Sequence, residues 1–136
     1  MVIRVVRLGS TRVPGEGPRI GTVRRPPRGV PKAQFAIRDW YDAWFPTLAP
    51  SVATMRFGQA AAAPAQWAAF VRAYRAEMAA PDARHAIALL ATLSRYSDFS
   101  VGCYCEDDAH CHRSVLRELL AEQGAEIAAG AAPPPG

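Results

Sequence analysis

The chain has 136 residues, of which 50% are hydrophobic, and it carries a net charge of +4. This length predicts one domain, and the apolar fraction excludes a chain too polar to form a core. The N-terminal residues do not resemble a secretory leader, and no segment approaches the ~20 apolar residues that span a bilayer. The three cysteines lie together in a C-x-C-x5-C pattern, which excludes a disulfide framework. We therefore predict a soluble, cytoplasmic protein with reduced thiols and no membrane partner, and leave its oligomeric state open.

The positive charge is concentrated near the N-terminus. Residues 17–38 contain six cations and no acid: Arg19, Arg24, Arg25, Arg28, Lys32 and Arg38. Such a basic stretch is typical of a surface that contacts phosphate groups, on a small ligand or on nucleic acid. The remainder of the chain from residue 39 is net acidic, so pairing of these cations within the chain is the alternative.

The first third of the chain predicts strands and loops. β-branched residues predict a first strand over Val2–Arg7, then a loop over Gly9–Gly21 and a short second strand over Ile20–Val23. Three prolines predict a loop over Arg24–Lys32, because each proline removes a backbone donor and disfavours helix. Aromatic residues at helix-like spacing then indicate a helical segment over Ala33–Phe45.

The second half of the chain alternates helices with strands. A continuous apolar stripe predicts a helix over Ala65–Met78, and Pro81 and Asp82 open another that extends to Ser94. A buried strand is predicted over Phe99–Tyr104 and a helix over Ser114–Gln123. Residues 125–128 indicate a short last strand.

This order of elements predicts a single compact α/β domain over residues 1–127, with a small, mostly parallel sheet flanked by helices. The alanine- and proline-rich residues 128–136 predict a disordered tail. In parallel sheets ligands bind beyond the carboxyl ends of the strands. The loop Cys105–Cys111 follows a predicted strand, and therefore lies where a site is expected.

A reactive thiol is the first interpretation of this loop. With Asp107 or Asp108 as the N-cap, Cys111 falls in the first helical turn, where the helix dipole and Arg113 favour a thiolate and bind an anion. The succession of strand, cysteine, loop, arginine and helix is similar to that of rhodaneses and cysteine phosphatases. The residues assigned to thiol catalysis are Cys111, Cys105 and His112.

Metal binding and core packing are the other two interpretations. Five side chains supply sulfur and imidazole donors that suit zinc or iron: Cys103, Cys105, Cys111, His110 and His112. A site would use three of these five, and the predicted ligands are Cys105, Cys111 and His110. Alternatively the cluster is structural, with Cys103 a small apolar residue of the central strand. The thiol interpretation requires no cofactor, whereas the metal interpretation requires zinc or iron.

Two motifs carry a family resemblance. One is C-x-C-E-x4-C-H-R, which ends at Arg113, and the other runs from RLGSTR through GEGPRIGTVRRPPRGVPK to W-x2-F-x3-Y-x2-E at Trp67–Glu77. In these motifs the chain resembles the family called domain of unknown function 488, including its YeaO-like branch. The resemblance covers nearly everything from Arg7 to Gly124. It implies a compact α/β domain and brings no assigned activity, cofactor or catalytic residue.

From these observations we predict a polar cleft between the loop Cys105–Arg113 and the basic segment Arg24–Lys32. The cleft is predicted to bind a small anionic, phosphate-like ligand, with a cysteine thiol available for chemistry. A nucleic-acid-binding module on the basic N-terminal third and a zinc- or iron-binding protein are the alternatives, and whether the protein is an enzyme is left open. The predicted ligand-binding residues are Arg24, Arg28, Lys32 and Arg113.

Overall fold

The computed structural model describes residues 1–107 and 110–128. Within these residues the strands are β1 (Ile3–Arg7), β2 (Arg19–Gly21), β3 (Ala43–Trp44) and β4 (Phe99–Cys103). The α-helices are α1 (Val52–Ala60), α2 (Pro64–Met78), α3 (Pro81–Leu93) and α4 (His112–Glu122). Short 3-10 turns cover Lys32–Gln34 and Pro46–Leu48.

The strands form one parallel sheet in the order β1, β4, β2, β3. β4 lies between β1 and β2 in register, so that Arg7 is beside Cys103 and Gly21 is beside Gly102. All five residues of β4 are buried, as expected of a parallel strand whose two faces are both covered. This arrangement of sheet and helices confirms the predicted α/β fold class.

The predicted apolar stripe of α2 packs into the core. Phe70, Tyr74 and Met78 are buried because residues four apart share one face of a helix. The hydroxyl of Tyr74 donates to the carbonyl of Leu48 at 2.7 Å, which satisfies its polar atom inside the core. Burial also raises the pKa of Tyr74 well above its ordinary value, so it stays protonated. α2 therefore both closes the core and supports the turn that precedes α1.

Residues 33–45 do not form the predicted helix. They contain the turn Lys32–Gln34, further turns and then β3. Asp39 has φ 62°, a left-handed conformation that a right-handed helix cannot contain. Its carbonyl accepts hydrogen bonds from the Gly9 N–H and the Arg19 guanidinium. Long-range bonds therefore override the helical spacing of the aromatic residues in this segment.

Helix α1 was not predicted from the sequence. Its N-cap is Ser51, whose hydroxyl accepts from the Thr54 N–H at 3.2 Å. The Glu77 carboxylate of α2 in turn accepts from the Ser51 N–H, the Ser51 hydroxyl and the Thr54 hydroxyl, at 2.6 to 2.8 Å. The beginning of α1 is thus stabilised by a side chain from a different helix.

The ends of the domain differ in detail from the prediction. β2 begins at Arg19, one residue earlier than predicted, and ends at Gly21. The predicted last strand is reduced to a single parallel bridge between Ile127 and Ile3. Ala128 still donates its N–H to Ile3, whereas residues 129–136 of the predicted tail lie outside the described residues. No helix in the described part of the chain is long and apolar enough to cross a membrane.

A buried arginine at the start of β2 connects three parts of the chain, which contain Ser10, Glu16 and Asp39. Arg19 is fully buried, and its Nε and Nη2 donate to the two oxygens of Glu16 at 2.8 and 3.1 Å. Its Nη1 donates to the carbonyls of Ser10 and Asp39, each at 2.7 Å. The planar guanidinium provides these donors in one fixed geometry, which a lysine ammonium does not reproduce. One of the six cations of residues 17–38 is therefore an internal residue of the fold.

We expect Arg19→Met to lower the free energy of unfolding by roughly 3–5 kcal/mol, because it leaves Glu16 as a buried carboxylate without its cation. Urea denaturation followed by circular dichroism measures this loss. Arg75→Met is the control, since Arg75 pairs with Glu118 and Glu122 at the surface, where such pairs contribute little to stability. Equal losses in the two variants would contradict the assignment of Arg19 as a structural centre.

Candidate functional site

A cavity of about 950 Å³ lies at the carboxyl edge of the sheet. β1 ends at Arg7 and β4 ends at Cys103, and both residues line the cavity. Tyr104 and Cys105, which follow β4 in the chain, line it as well. The cavity therefore occupies the position where parallel sheets usually bind ligands.

The three thiols at this edge differ in exposure. Cys103 and Cys111 are each 2% exposed, whereas Cys105 is exposed. Hydrogen bonds from the thiols of Cys103 and Cys111 lower the pKa of Cys105, and the charge of Arg113 acts in the same direction. Hydrogen bonding among the thiols, together with burial, raises the pKa of Cys103 and of Cys111. Cys105 is thus the accessible thiol and the one whose ionised form the cluster favours.

His112 is oriented by a backbone carbonyl. The imidazole is 8% exposed, and its Nε2 donates to the Thr22 carbonyl at 2.8 Å. This bond fixes the tautomer with the proton on Nε2, so Nδ1 keeps its lone pair. Nδ1 lies 3.8 Å from the sulfur of Cys111. Burial lowers the pKa of His112 to about 4, so the ring is neutral near pH 7.

The helix after the loop begins later than the thiol interpretation predicts. α4 starts at His112, and its N-cap is Cys111, in an extended conformation with φ −131° and ψ 148°. Its carbonyl accepts from both the N–H and the hydroxyl of Ser114, which defines this helix start. The prediction of an aspartate N-cap that places Cys111 in the first turn is therefore wrong for Asp107, and Asp108 lies outside the described residues.

The described residues contain one group of three metal-binding side chains, Cys103, Cys111 and His112, whose donor atoms lie within 4.8 Å of one another. All three are buried. His110, the imidazole that the sequence predicted as a ligand, is exposed instead, and its Nδ1 lies 2.8 Å from the Asp107 carboxylate. The structure therefore groups Cys111 with Cys103 and His112 and places His110 on the surface.

The acids of the loop have partners of their own. The carboxylate of Glu106 lies 3.4 Å from the guanidinium of Arg7, and Asp107 pairs with His110. Both pairs are exposed to solvent, so each contributes little to stability. They nevertheless place cationic or hydrogen-bonding groups beside two carboxylates that would otherwise repel an anion from the thiols.

Two of the predicted ligand-binding cations line the cavity. Arg24 donates to the carbonyls of Ala49 and Pro50 at 3.0 and 3.1 Å, so its guanidinium supports the turn before α1. Arg28 is exposed and lines the same cavity, together with Arg25. The segment Arg24–Arg28 is therefore one wall of the cavity that contains Cys105.

The other two predicted cations take different positions. Lys32 is exposed, and Arg113 is 3% exposed and donates through Nη2 to the Cys105 carbonyl at 2.9 Å. Neither of them is among the described residues that line the cavity. Arg113 thus holds the backbone of the cysteine loop in place.

Aromatic residues of the cavity wall were missed as site residues. Trp40 and Tyr104 pack edge to face with ring centroids 5.7 Å apart, and Trp67 and Phe70 line the wall near α1. The Tyr104 hydroxyl donates to the Arg25 carbonyl at 2.9 Å, which fixes the proline-rich segment. Trp40 was predicted to lie on a helix, and the spacing of the aromatic residues does not indicate that its side chain faces the cysteines.

These features define a small parallel α/β domain with a cluster of thiols at the carboxyl edge of its sheet. A family model, DUF488-N3a, described as the active DUF488-N3 subclade, matches residues 3–124. The chain therefore belongs to the DUF488 family, which confirms the resemblance drawn from its motifs. No curated protein and no solved structure matches the chain.

We expect neutral iodoacetamide to modify Cys105 first in the native protein, because it is the exposed thiol. Cys103 and Cys111 should react more slowly by roughly an order of magnitude or more, since a thiol inside the core reacts only in locally opened molecules. Mass spectrometry of proteolytic peptides, with and without urea, measures the order of labelling. Labelling of Cys111 as fast as Cys105 in native protein would contradict the described burial.

Proposed function

We propose that the protein binds a small organic anion in the cavity and that Cys105 acts on this anion as a thiol nucleophile. The observation that carries the proposal is that the exposed thiol and the cations Arg25 and Arg28 line one cavity. A binding site that holds a charged ligand against a nucleophile makes their reaction effectively unimolecular.

The shape of the cavity supports a ligand larger than a simple inorganic ion. Its volume of about 950 Å³ lies within the range of small-molecule sites, roughly 300–1,000 Å³. Trp40, Trp67 and Phe70 give it apolar walls, while Arg25 and Arg28 give it cations. This combination suits an anion that carries an apolar or aromatic group.

The electrostatics around Cys105 support an anionic ligand. The buried guanidinium of Arg113 contacts the Cys105 carbonyl, and α4 begins close by, with the positive end of its dipole at Cys111 and His112. Glu106, the acid next to Cys105, pairs with Arg7. The negative charge of the loop is therefore partly offset on both sides of the thiol.

The proposed step is a substitution at a soft centre of the ligand. Cys105 gives its thiol proton to solvent, its sulfur forms a bond to an electrophilic carbon or sulfur atom of the ligand, and the leaving group departs with the electrons of the bond that breaks. The nucleic-acid alternative has less support, because Arg19 and Arg24, two of the six cations of residues 17–38, bond within the chain.

Two alkylating reagents that differ in charge test the proposal. Iodoacetate is an anion, and iodoacetamide is its neutral analogue; each forms a carbon–sulfur bond at Cys105 and releases iodide. We expect the ratio of the iodoacetate rate to the iodoacetamide rate to exceed that of free glutathione by about tenfold, because cations concentrate an anion at the thiol. The iodoacetate rate should also saturate with concentration and fall as salt is added.

A pair of matched variants provides the control. Arg28→Gln and Lys32→Gln each remove one positive charge from an exposed side chain, but of the two only Arg28 lines the described cavity. We expect Arg28→Gln to return the rate ratio most of the way to that of glutathione and Lys32→Gln to leave it nearly unchanged. A wild-type ratio equal to that of glutathione, or equal effects of the two variants, would overturn the proposal.

A further inference from the structure

We propose that Cys103, Cys111 and His112 form a zinc-binding site, with the two sulfurs and the Nδ1 of His112 as ligands. The three donor atoms lie within 4.8 Å of one another, and all three side chains are buried. Thiolate sulfur and imidazole nitrogen are the ligands that structural and catalytic zinc sites use. This inference does not rest on the proposed function, because it concerns the two buried thiols and not Cys105.

The imidazole is oriented as a zinc ligand requires. Its Nε2 donates to the Thr22 carbonyl at 2.8 Å, which leaves the Nδ1 lone pair directed toward Cys111. Zinc-bound histidines generally donate their other nitrogen to a carbonyl or carboxylate in this way. Thr22 is itself fixed, since its N–H and its hydroxyl both donate to the Gly102 carbonyl at 3.0 Å. Gly102 precedes Cys103, so one network positions ligands from β4 and α4.

The charges of the proposed site balance. Zinc binding releases one proton from each of the two thiols, and the imidazole binds as the neutral ring. Two thiolates and one divalent cation then sum to zero, which suits three buried side chains. Two thiolates this close without a cation would repel each other inside the core. Zinc therefore provides the positive charge that these buried sulfurs need in order to ionise.

Three ligands leave the fourth tetrahedral position open. Cys103, Cys111 and His112 also line the cavity, so a small molecule in the cavity is within reach of the metal. Zinc sites with three protein ligands and an open position are the catalytic kind, whereas structural sites usually have four. The proposed metal would thus lie at the inner end of the cavity.

The first test titrates wild-type, metal-free, reduced protein with Zn²⁺ and with Co²⁺. We expect one equivalent of either metal to bind and about two protons to be released for each ion. The Co²⁺ complex should show the intense visible bands of tetrahedral cobalt and a sulfur-to-cobalt charge-transfer band. Absence of binding, or a weak octahedral spectrum without the sulfur band, would overturn the proposal without any variant being made.

Variants then identify the ligands. His112→Gln and Cys111→Ser should each weaken Zn²⁺ binding by about 100-fold or more, because removal of a ligand costs more than loss of an outer partner. His110→Gln is the matched control, since it removes an exposed imidazole two residues away. Unchanged affinity in His112→Gln, or a loss in His110→Gln, would show that the ligand set is wrong. Circular dichroism identifies any variant that fails to fold, in which case the wild-type cobalt spectrum decides.

Cys105→Ser separates this proposal from the proposed function. The variant should keep one equivalent of Zn²⁺, because the Cys105 sulfur is not in the group of donor atoms that lie within 4.8 Å of one another, and it should lose all iodoacetate-specific labelling. Zinc binding without a raised iodoacetate ratio would contradict the proposed function and leave the metal site supported. A raised iodoacetate ratio in a wild-type protein that binds no zinc would contradict the metal site and leave the proposed function supported.

Discussion

The cavity depends on a buried ion pair between Arg19 and Glu16. Because the guanidinium of Arg19 also binds the carbonyls of Ser10 and Asp39, one side chain fixes the loop after β1 and the turn that leads into β3. Trp40 follows Asp39 directly, so the position of this aromatic wall is set from inside the fold. Removal of one member of such a buried charge network lowers the stability of the fold, since the remaining charges stay in the core without a partner. The stability of the domain and the shape of its cavity are therefore coupled.

The central strand β4 connects this framework to the chemistry. Its last residue, Cys103, has its sulfur close to the imidazole of His112, the first residue of α4. The bonds from Thr22 to Gly102 and from His112 to Thr22 connect β4 with α4. Cys111 reaches the same point as the N-cap of α4. The arrangement thus gives the protein two kinds of sulfur within one cavity. The pair Cys103 and Cys111 is buried beside His112, whereas Cys105 is exposed in the cavity.

Helices and strands were predicted correctly from the sequence where a single local pattern of residues specified them. The spacing of Phe70, Tyr74 and Met78 fixed one face of α2, and the unbroken apolar run of β4 indicated a buried strand; both agree with the structure. The prediction of a helix over residues 33–45 was wrong, because Asp39 takes a left-handed conformation. The hydrogen bonds that its carbonyl accepts from Gly9 and Arg19 favour this conformation. Helix α1 escaped prediction because part of its N-terminal support comes from a carboxylate on α2.

The sequence by itself determined that the chain is an α/β domain of the DUF488 family whose cysteines lie at the end of a buried strand and in the loop that follows it. These properties depend on periodicity and on a contiguous motif, both of which are local. Only the tertiary structure decided that His112 and not His110 joins Cys103 and Cys111, because the start of α4 sets which imidazole turns inward. It also decided that Arg19 is internal while Arg28 stays at the cavity. The sequence shows which residues are charged. Whether a charged side chain can contact a ligand depends on carbonyls and carboxylates that are distant in the chain, because folding brings these groups next to it.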